Sequence, residues 1–145
     1  MAKYDDFQNY HRLQAVTLPT SVSTPVTSAA IDTTAMEQLT IIANVGAMAA
    51  SGVLTLTMTE SATLGGSYTA QAGASIVWTQ GVETDQEVKI GKIKCNHIDQ
   101  LPFKKVVLTP SVAALDGCAV MIASSGSVHY PLSDALTPVF NLSNP

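Results

Sequence analysis

Apolar and polar side chains alternate along much of the chain from Leu13 onward, and Thr and Ser take most of the polar positions. This period of two is typical of a strand with one buried face. It is clearest in 53–60, where Leu54, Leu56 and Met58 are predicted to face the core and Thr55, Thr57 and Thr59 to face away. The pattern predicts eight strands, at 13–18, 25–31, 38–45, 53–60, 75–79, 86–94, 104–109 and 117–124.

Turn-forming residues separate these segments, as at Ser51-Gly52, Gly65-Gly66 and Asp116-Gly117. Strands that recur about every ten residues are typical of a sandwich or barrel. Only 33–38 and 112–115 are predicted to form a helical turn. The fold class is therefore predicted to be all-β.

The N-terminal segment 1–12 carries Tyr4, Phe7 and Tyr10 at a spacing of three. Three arrangements fit this spacing: a helical turn with one aromatic face, an arm that docks on a partner, and a segment that lies on its own domain. We take the arm as the working hypothesis and the three rings as candidate interface residues.

The C-terminal segment 131–145 has no regular period and contains three prolines, which interrupt hydrogen-bonded ladders. Its apolar Leu136, Val139 and Phe140 argue against a freely solvated tail. We expect an extended arm with these three as interface residues. The predicted organisation is an N-terminal arm at 1–12, a β-sandwich domain at 13–130 and a C-terminal arm at 131–145.

Charge is scarce: 12% of the residues are charged, with a formal net charge of −4, against about 25% charged residues in typical soluble domains. The acidic balance argues against nucleic acid as a partner. Because no apolar run approaches the roughly 20 residues of a membrane helix, no membrane is expected. No signal peptide is recognised either, so synthesis is expected to end in a cytoplasm. Cys95 and Cys118 are expected to be reduced.

No catalytic or metal-binding constellation is predicted. Cys95 and His97 with Asp99 are the densest set of possible ligands, and they lack the second pair that a zinc site requires. No nucleophile motif or phosphate-binding glycine loop occurs. Trp78, in an apolar run, is expected in the core. We therefore expect no enzyme activity, no cofactor and no metal.

The lysines cluster at Lys89, Lys92, Lys94, Lys104 and Lys105. If the strands that carry them were adjacent, they would form one positive stripe suited to an acidic protein surface. They could equally be solubilising lysines at strand edges. Lys104 and Lys105 are kept as candidate interface residues.

Several strand and turn motifs resemble those of small virion proteins of tailed bacteriophages. The motifs are Ala30-Ile31-Asp32-Thr33, Leu39-Thr40-Ile41-Ile42-Ala43-Asn44-Val45-Gly46, Leu54 to Ser61, Lys104 to Thr109, and Val128-His129-Tyr130-Pro131. The resemblance covers about residues 29–131. It implies a jelly-roll sandwich of the capsid cement, or decoration, type.

The resemblance further implies a structural protein that binds the outer surface of the phage head and stabilises joints between subunits of the major capsid protein. Its expected partners are that capsid protein and further copies of itself, as a dimer or trimer. The expected location is the virion, after synthesis in the host cytoplasm. Two alternatives stay open: a β-module of the tail, neck or fibre, and a carbohydrate-binding β-sandwich.

Overall fold

The structure is a computed structural model, and all its regular elements in the described residues are β-strands. It describes residues 11–15, 20–48, 50–81, 87–95, 99–111, 115–124 and 140–142. The strands are β1 (His11–Ala15), β2 (Thr20–Val22), β3 (Val26–Thr27), β4 (Ile31–Asp32), β5 (Gln38–Val45), β6 (Val53–Ser61), β7 (Thr69–Thr79), β8 (Val88–Lys94), β9 (Phe103–Pro110), β10 (Leu115–Ser124) and β11 (Phe140–Leu142).

Two sheets make up the sandwich. The first sheet has the order β1-β10-β5-β8-β11, with β2 also paired to β10. The second sheet has the order β3-β9-β6-β7, with β4 also paired to β9. The predicted all-β antiparallel sandwich is confirmed, and β11 on β8 is a parallel pair within it.

The strand order is that of a jelly roll. β1 and β2 both pair with β10, and β3 and β4 both pair with β9, so each couple acts as one interrupted strand. Without β11, eight strands remain, and in chain order the sheets become 1-8-3-6 and 2-7-4-5. This is the arrangement of two Greek keys in a double sheet.

The core lies between the sheets and follows the alternation along β6. Leu54, Leu56 and Met58 have no exposed surface, whereas Thr55 and Thr57 on the opposite face are half-buried. The predicted faces are confirmed for these five residues. Thr59, which was predicted to face away with Thr55 and Thr57, is instead buried, next to the register shift between Thr57 and Thr59. The prediction for Trp78 is also confirmed, because it is fully buried in the same apolar cluster.

The predicted strand 25–31 is divided into β3 and β4 around Ser28. The Ser28 hydroxyl accepts a hydrogen bond from the Val106 N–H at 3.0 Å, and the Ser28 N–H donates to the Val106 carbonyl at 2.9 Å. The Ser28 hydroxyl oxygen thus takes the place of a backbone carbonyl as the acceptor for the Val106 N–H of β9. This local competition explains the break.

The segment 33–38 forms a tight turn, so the predicted helical turn is wrong there. The Met36 N–H donates to the Thr33 carbonyl at 2.9 Å, and Ala35 has a left-handed φ of 61°. The Asp32 carboxylate accepts the Thr34 N–H at 2.9 Å, and β5 begins at Gln38. An aspartate that bonds to the backbone two residues on favours a turn over a helix. The other predicted turn, 112–115, falls mostly on residues outside the described ranges.

The two cysteines lie at opposite ends of the first sheet. Cys118 pairs with Asn44, whereas Lys94, next to Cys95, pairs with Gln38. Six residues along β5 separate these levels by roughly 20 Å, far beyond the roughly 7 Å that a disulfide spans between Cα atoms. A bridge between them is therefore excluded, and Cys95 is a free thiol. In the described ranges, no helix is long and apolar enough to cross a membrane.

Candidate functional site

The outer face of the second sheet carries an uncharged array that we call the threonine face. Its members are small hydroxyl or β-branched residues in register on β3, β9, β6 and β7. Thr55 lies between Val77 and Thr109, and Thr57 lies between Ser75 and Val107. The full set is Thr27, Thr55, Thr57, Ser75, Val77, Val107 and Thr109.

All members of the threonine face are half-buried or exposed, and Val77 is 42% exposed. Strands about 4.8 Å apart, with residues of one face about 6.6 Å apart along them, give these seven positions an area of roughly 200 Å². A standard protein interface buries about 800 Å² on each partner. The threonine face alone therefore supplies only part of a stable contact.

Lys105 and Tyr68 border the threonine face at one end. The Lys105 ammonium lies 4.0 Å from the centre of the Tyr68 ring, a cation–π contact. The Tyr68 hydroxyl donates to the Leu64 carbonyl at 3.0 Å, and the Leu64 side chain is 61% exposed. Of the predicted interface residues, Lys105 is thus placed against the Tyr68 ring at the edge of the threonine face.

Lys104, the neighbouring candidate, points into the sandwich and has no exposed surface. Its ammonium forms a short ion pair with the Glu60 carboxylate. It also donates to Gln100 Oε1 at 2.7 Å and to Gln71 Oε1 at 3.4 Å. Three acceptors match the three protons of a lysine ammonium, so each proton has a partner.

Local irregularities bring the acceptors to Lys104. The β6–β7 register shifts between Thr57 and Thr59, and β7 contains Gly73 with a φ of 75° in the bulged part. Such a bulge redirects side chains, and Gln71 is 9% exposed here. The Glu60 carboxylate also accepts the Leu101 N–H at 3.2 Å, which ties the chain before β9 to this cluster.

A cavity of about 450 Å³ opens beside this ionic cluster. Cys95, Gln100 and Pro102 contribute to its lining together with the turn at 33–37. Burial raises the pKa of the Cys95 thiol, and the Lys104 charge opposes this shift only in part. The thiol is therefore protonated at neutral pH, which disfavours nucleophilic chemistry at this position.

Of the two alternatives for the lysines, one positive stripe on adjacent strands does not form, because β8 and β9 lie in different sheets. Lys89, on β8, donates to the Val77 carbonyl at 2.8 Å, and its ammonium lies 5.6 Å from the centre of the Trp78 ring. The prediction that Lys104 is an interface residue is also corrected, because its side chain has no exposed surface in the single chain. Opposite charges at inward positions of two predicted strands, Glu60 and Lys104, were the sequence signal for their pairing.

The remaining candidates lie mostly outside the described residues: Tyr4, Phe7, Tyr10, Leu136 and Val139. Phe140 begins β11, so part of the predicted C-terminal arm is a strand of the first sheet. At the other end, β1 begins at His11, inside the segment predicted as an arm.

The possible ligand set around Cys95 does not converge in the described part of the chain. No group of three or more His, Cys, Asp and Glu side chains that could hold a metal occurs there. His97, one member of that set, lies outside the described residues.

Comparisons with known proteins add little to this description. No protein-family model matches the chain. No curated protein matches it. Among solved structures, the crystal structure of PirA is similar to it with a TM-score of 0.37 and 16% identity, over 83% of this chain and 97% of that one. A likeness at this level carries no inference about function.

Proposed function

We propose that this chain is a non-enzymatic structural protein of a tailed-bacteriophage virion. In this proposal it is a decoration protein that binds the outer surface of the head and stabilises joints between major capsid protein subunits. The threonine face is the observation that carries the proposal, because its composition suits repeated contact with protein.

Burying the threonine face removes no charged group from water, so the large desolvation cost of ions does not arise. Thr and Val have restricted χ1 angles and therefore lose little rotamer freedom when a partner covers them. With an area of roughly 200 Å², a single contact of this face is weak. Many copies on one regular shell, linked to each other, would bind through avidity.

Most of the motifs that resemble those of phage virion proteins lie in strands of the second sheet and in β5 of the first sheet. Ile31 and Asp32 form β4, the motif from Leu54 to Ser61 lies in β6, and the basic motif lies in β9. Two of these strands, β6 and β9, also carry the middle of the threonine face. The resemblance and the proposed contact surface therefore rest on the same part of the chain.

The test is co-purification of tagged protein with heads of the phage that encodes it, with the copy number measured by gel densitometry. Decoration predicts on the order of hundreds of copies per particle, as repeated symmetric sites require. About a dozen or fewer copies would place the protein at the neck or tail and overturn the proposal. Binding to glycans without binding to heads would favour the carbohydrate-binding alternative.

A matched pair of variants tests the surface. Thr57→Arg puts a charge into the threonine face, and Thr40→Arg puts one on β5, where Thr40 is also half-buried on an outer face. We expect Thr57→Arg to lower head occupancy at least about tenfold, which corresponds to about 1.4 kcal/mol. Thr40→Arg should leave occupancy unchanged, and both variants should melt like the parent. Equal occupancy for both variants would exclude the threonine face as the contact.

A further inference from the structure

The C-terminal strand β11 occupies a position where two sheet edges meet. It pairs in parallel with β8, with Phe140 opposite Gly91 and Leu142 opposite Ile93, and it also contacts β7. β7 is the edge strand of the second sheet. If β11 were absent, β8 would be the edge strand of the first sheet. The strand therefore closes one side of the sandwich.

The link between β10 and β11 is longer than the distance it has to cover. Ser124, at the end of β10, pairs with Gln38 of β5, which in turn pairs with Lys94 of β8. Phe140, at the start of β11, pairs with Gly91 of β8. Three strand spacings and three residues along the strands put these ends roughly 17 Å apart. The link 125–139 can span up to roughly 50 Å.

The contacts of β11 do not depend on which copy supplies it. The edge of β8 offers the same backbone groups to the strand of its own chain and to the strand of a neighbouring chain. Exchange of an identical element between copies is a low-cost route to association, because every contact is retained. The excess length of the link allows β11 to reach the edge of an adjacent copy.

We propose that copies of this chain exchange β11, so that the strand from one copy completes the first sheet of its neighbour. This inference rests on the proposed function in assuming that several copies lie side by side. The occupant of the β8 edge is then a second copy of this chain, held by parallel strand pairing at residues 91–93. Such an exchange would also supply the contact that the threonine face alone does not provide.

Cysteines at a paired position test the exchange directly. Asn141 lies opposite Lys92, so Asn141→Cys and Lys92→Cys place two thiols across this strand pair. Each substitution is put into a separate full-length chain that also carries Cys95→Ser and Cys118→Ser. The two chains are given different tags, co-expressed, oxidised and separated on a non-reducing gel. Exchange predicts a covalent heterodimer that contains both tags.

A control pair within the first sheet checks folding and oxidation. Gln38 lies opposite Lys94, so Gln38→Cys with Lys94→Cys in one chain should give an internal crosslink and a monomer on the gel. The Asn141→Cys and Lys92→Cys changes are also combined in one chain, which exchange predicts will form a ladder of covalent oligomers.

Closure of that combined variant as a monomer, with no heterodimer in the co-expression, would overturn the exchange. Failure of either crosslink while the control closes would overturn it too, because β11 would then not lie on β8. Head binding is measured separately in the co-purification. Heterodimers without head binding would reject the proposed function and keep the exchange, and head binding with internal closure would do the reverse.

Discussion

The two ends of the β6–β9 pair bury their inward side chains by different means. Toward one end of the pair, the apolar end, Leu56 lies opposite Leu108, and both are almost completely buried in the apolar cluster. Toward the other end, the ionic end, Glu60 lies opposite Lys104, whose side chain is as buried as that of Leu56. The alternation of β9 continues unchanged from Leu108 to Lys104, while the chemistry changes from apolar packing to a buried ion pair.

This comparison shows two different dependences on neighbours. An apolar pair is stabilised by contacts without fixed direction, so the cost of a change follows the volume removed. A buried ammonium depends on particular acceptors, and the loss of one partner leaves a charge in a poorly solvating site. The apolar end should thus respond to size, and the ionic end to charge.

The largest effect is expected from Glu60→Ala. This change leaves the buried Lys104 ammonium with only the two carboxamide acceptors, Gln71 and Gln100. We expect the free energy of unfolding to fall by about 3–5 kcal/mol, measured by denaturant titration. Restoration of most of the loss by Glu60→Leu combined with Lys104→Met would identify the unpaired charge as the cause. A loss that persists in this double variant would contradict that explanation.

The next effect is expected at the apolar end from Leu56→Ala. Leu56 has no exposed surface, so truncation removes buried methyl groups and leaves a cavity, at a cost of about 2–5 kcal/mol. The control is Thr55→Ala on the opposite face, which should change the free energy of unfolding by less than about 0.5 kcal/mol. An unchanged melting temperature for Leu56→Ala would show that the assigned buried face of β6 is wrong.

Much of the apolar end could be predicted from the sequence. The period of two places Leu54, Leu56 and Met58 on one face because side chains alternate across any strand. The same parity places Glu60 inward, but lysines and glutamates are rarely fully buried. Lys104 was therefore assigned to the surface, although its parity within 104–109 equals that of the buried Val106.

The alternation within a strand does not predict which strands pair with each other. Which strands are neighbours depends on long-range pairing, so the sequence does not show that β8 and β9 belong to different sheets. The first part of β7 was also missed, since the segment 69–74 contains Gly73 and lacks β-branched residues after Thr69. The bulge there positions Gln71, so this amide acceptor of Lys104 could not be predicted either.

The smallest predicted effect concerns Cys95, which lies between the apolar cluster and the ionic cluster around Lys104. Its side chain is packed against the apolar cluster, and the Lys104 charge acts on it from the ionic end. Burial raises the pKa of the thiol above its ordinary value of 9.0, while Lys104 and a hydrogen bond with Thr33 lower it to a smaller extent. The apolar surroundings therefore outweigh the nearby positive charge.

The sign of the stability effect follows from this raised pKa. Well below pH 9 the thiol is protonated in the folded and the unfolded chain, so it contributes no pH dependence. As the pH rises above 9, the unfolded chain loses this proton first, and the unfolded state is favoured until the folded thiol also ionises. One proton changes the free energy of unfolding by at most about 1.4 kcal/mol per pH unit.

Cys95→Ala should therefore reduce the loss of stability between pH 8 and pH 10.5, measured as the denaturation midpoint at each pH. The comparison is made with the parent chain, which differs only in the Cys95 thiol. A smaller alkaline loss in Cys95→Ala than in the parent chain is the expected result. Identical losses would mean that Lys104 and Thr33 fully offset the burial of the thiol, and the ionic end would then extend to Cys95.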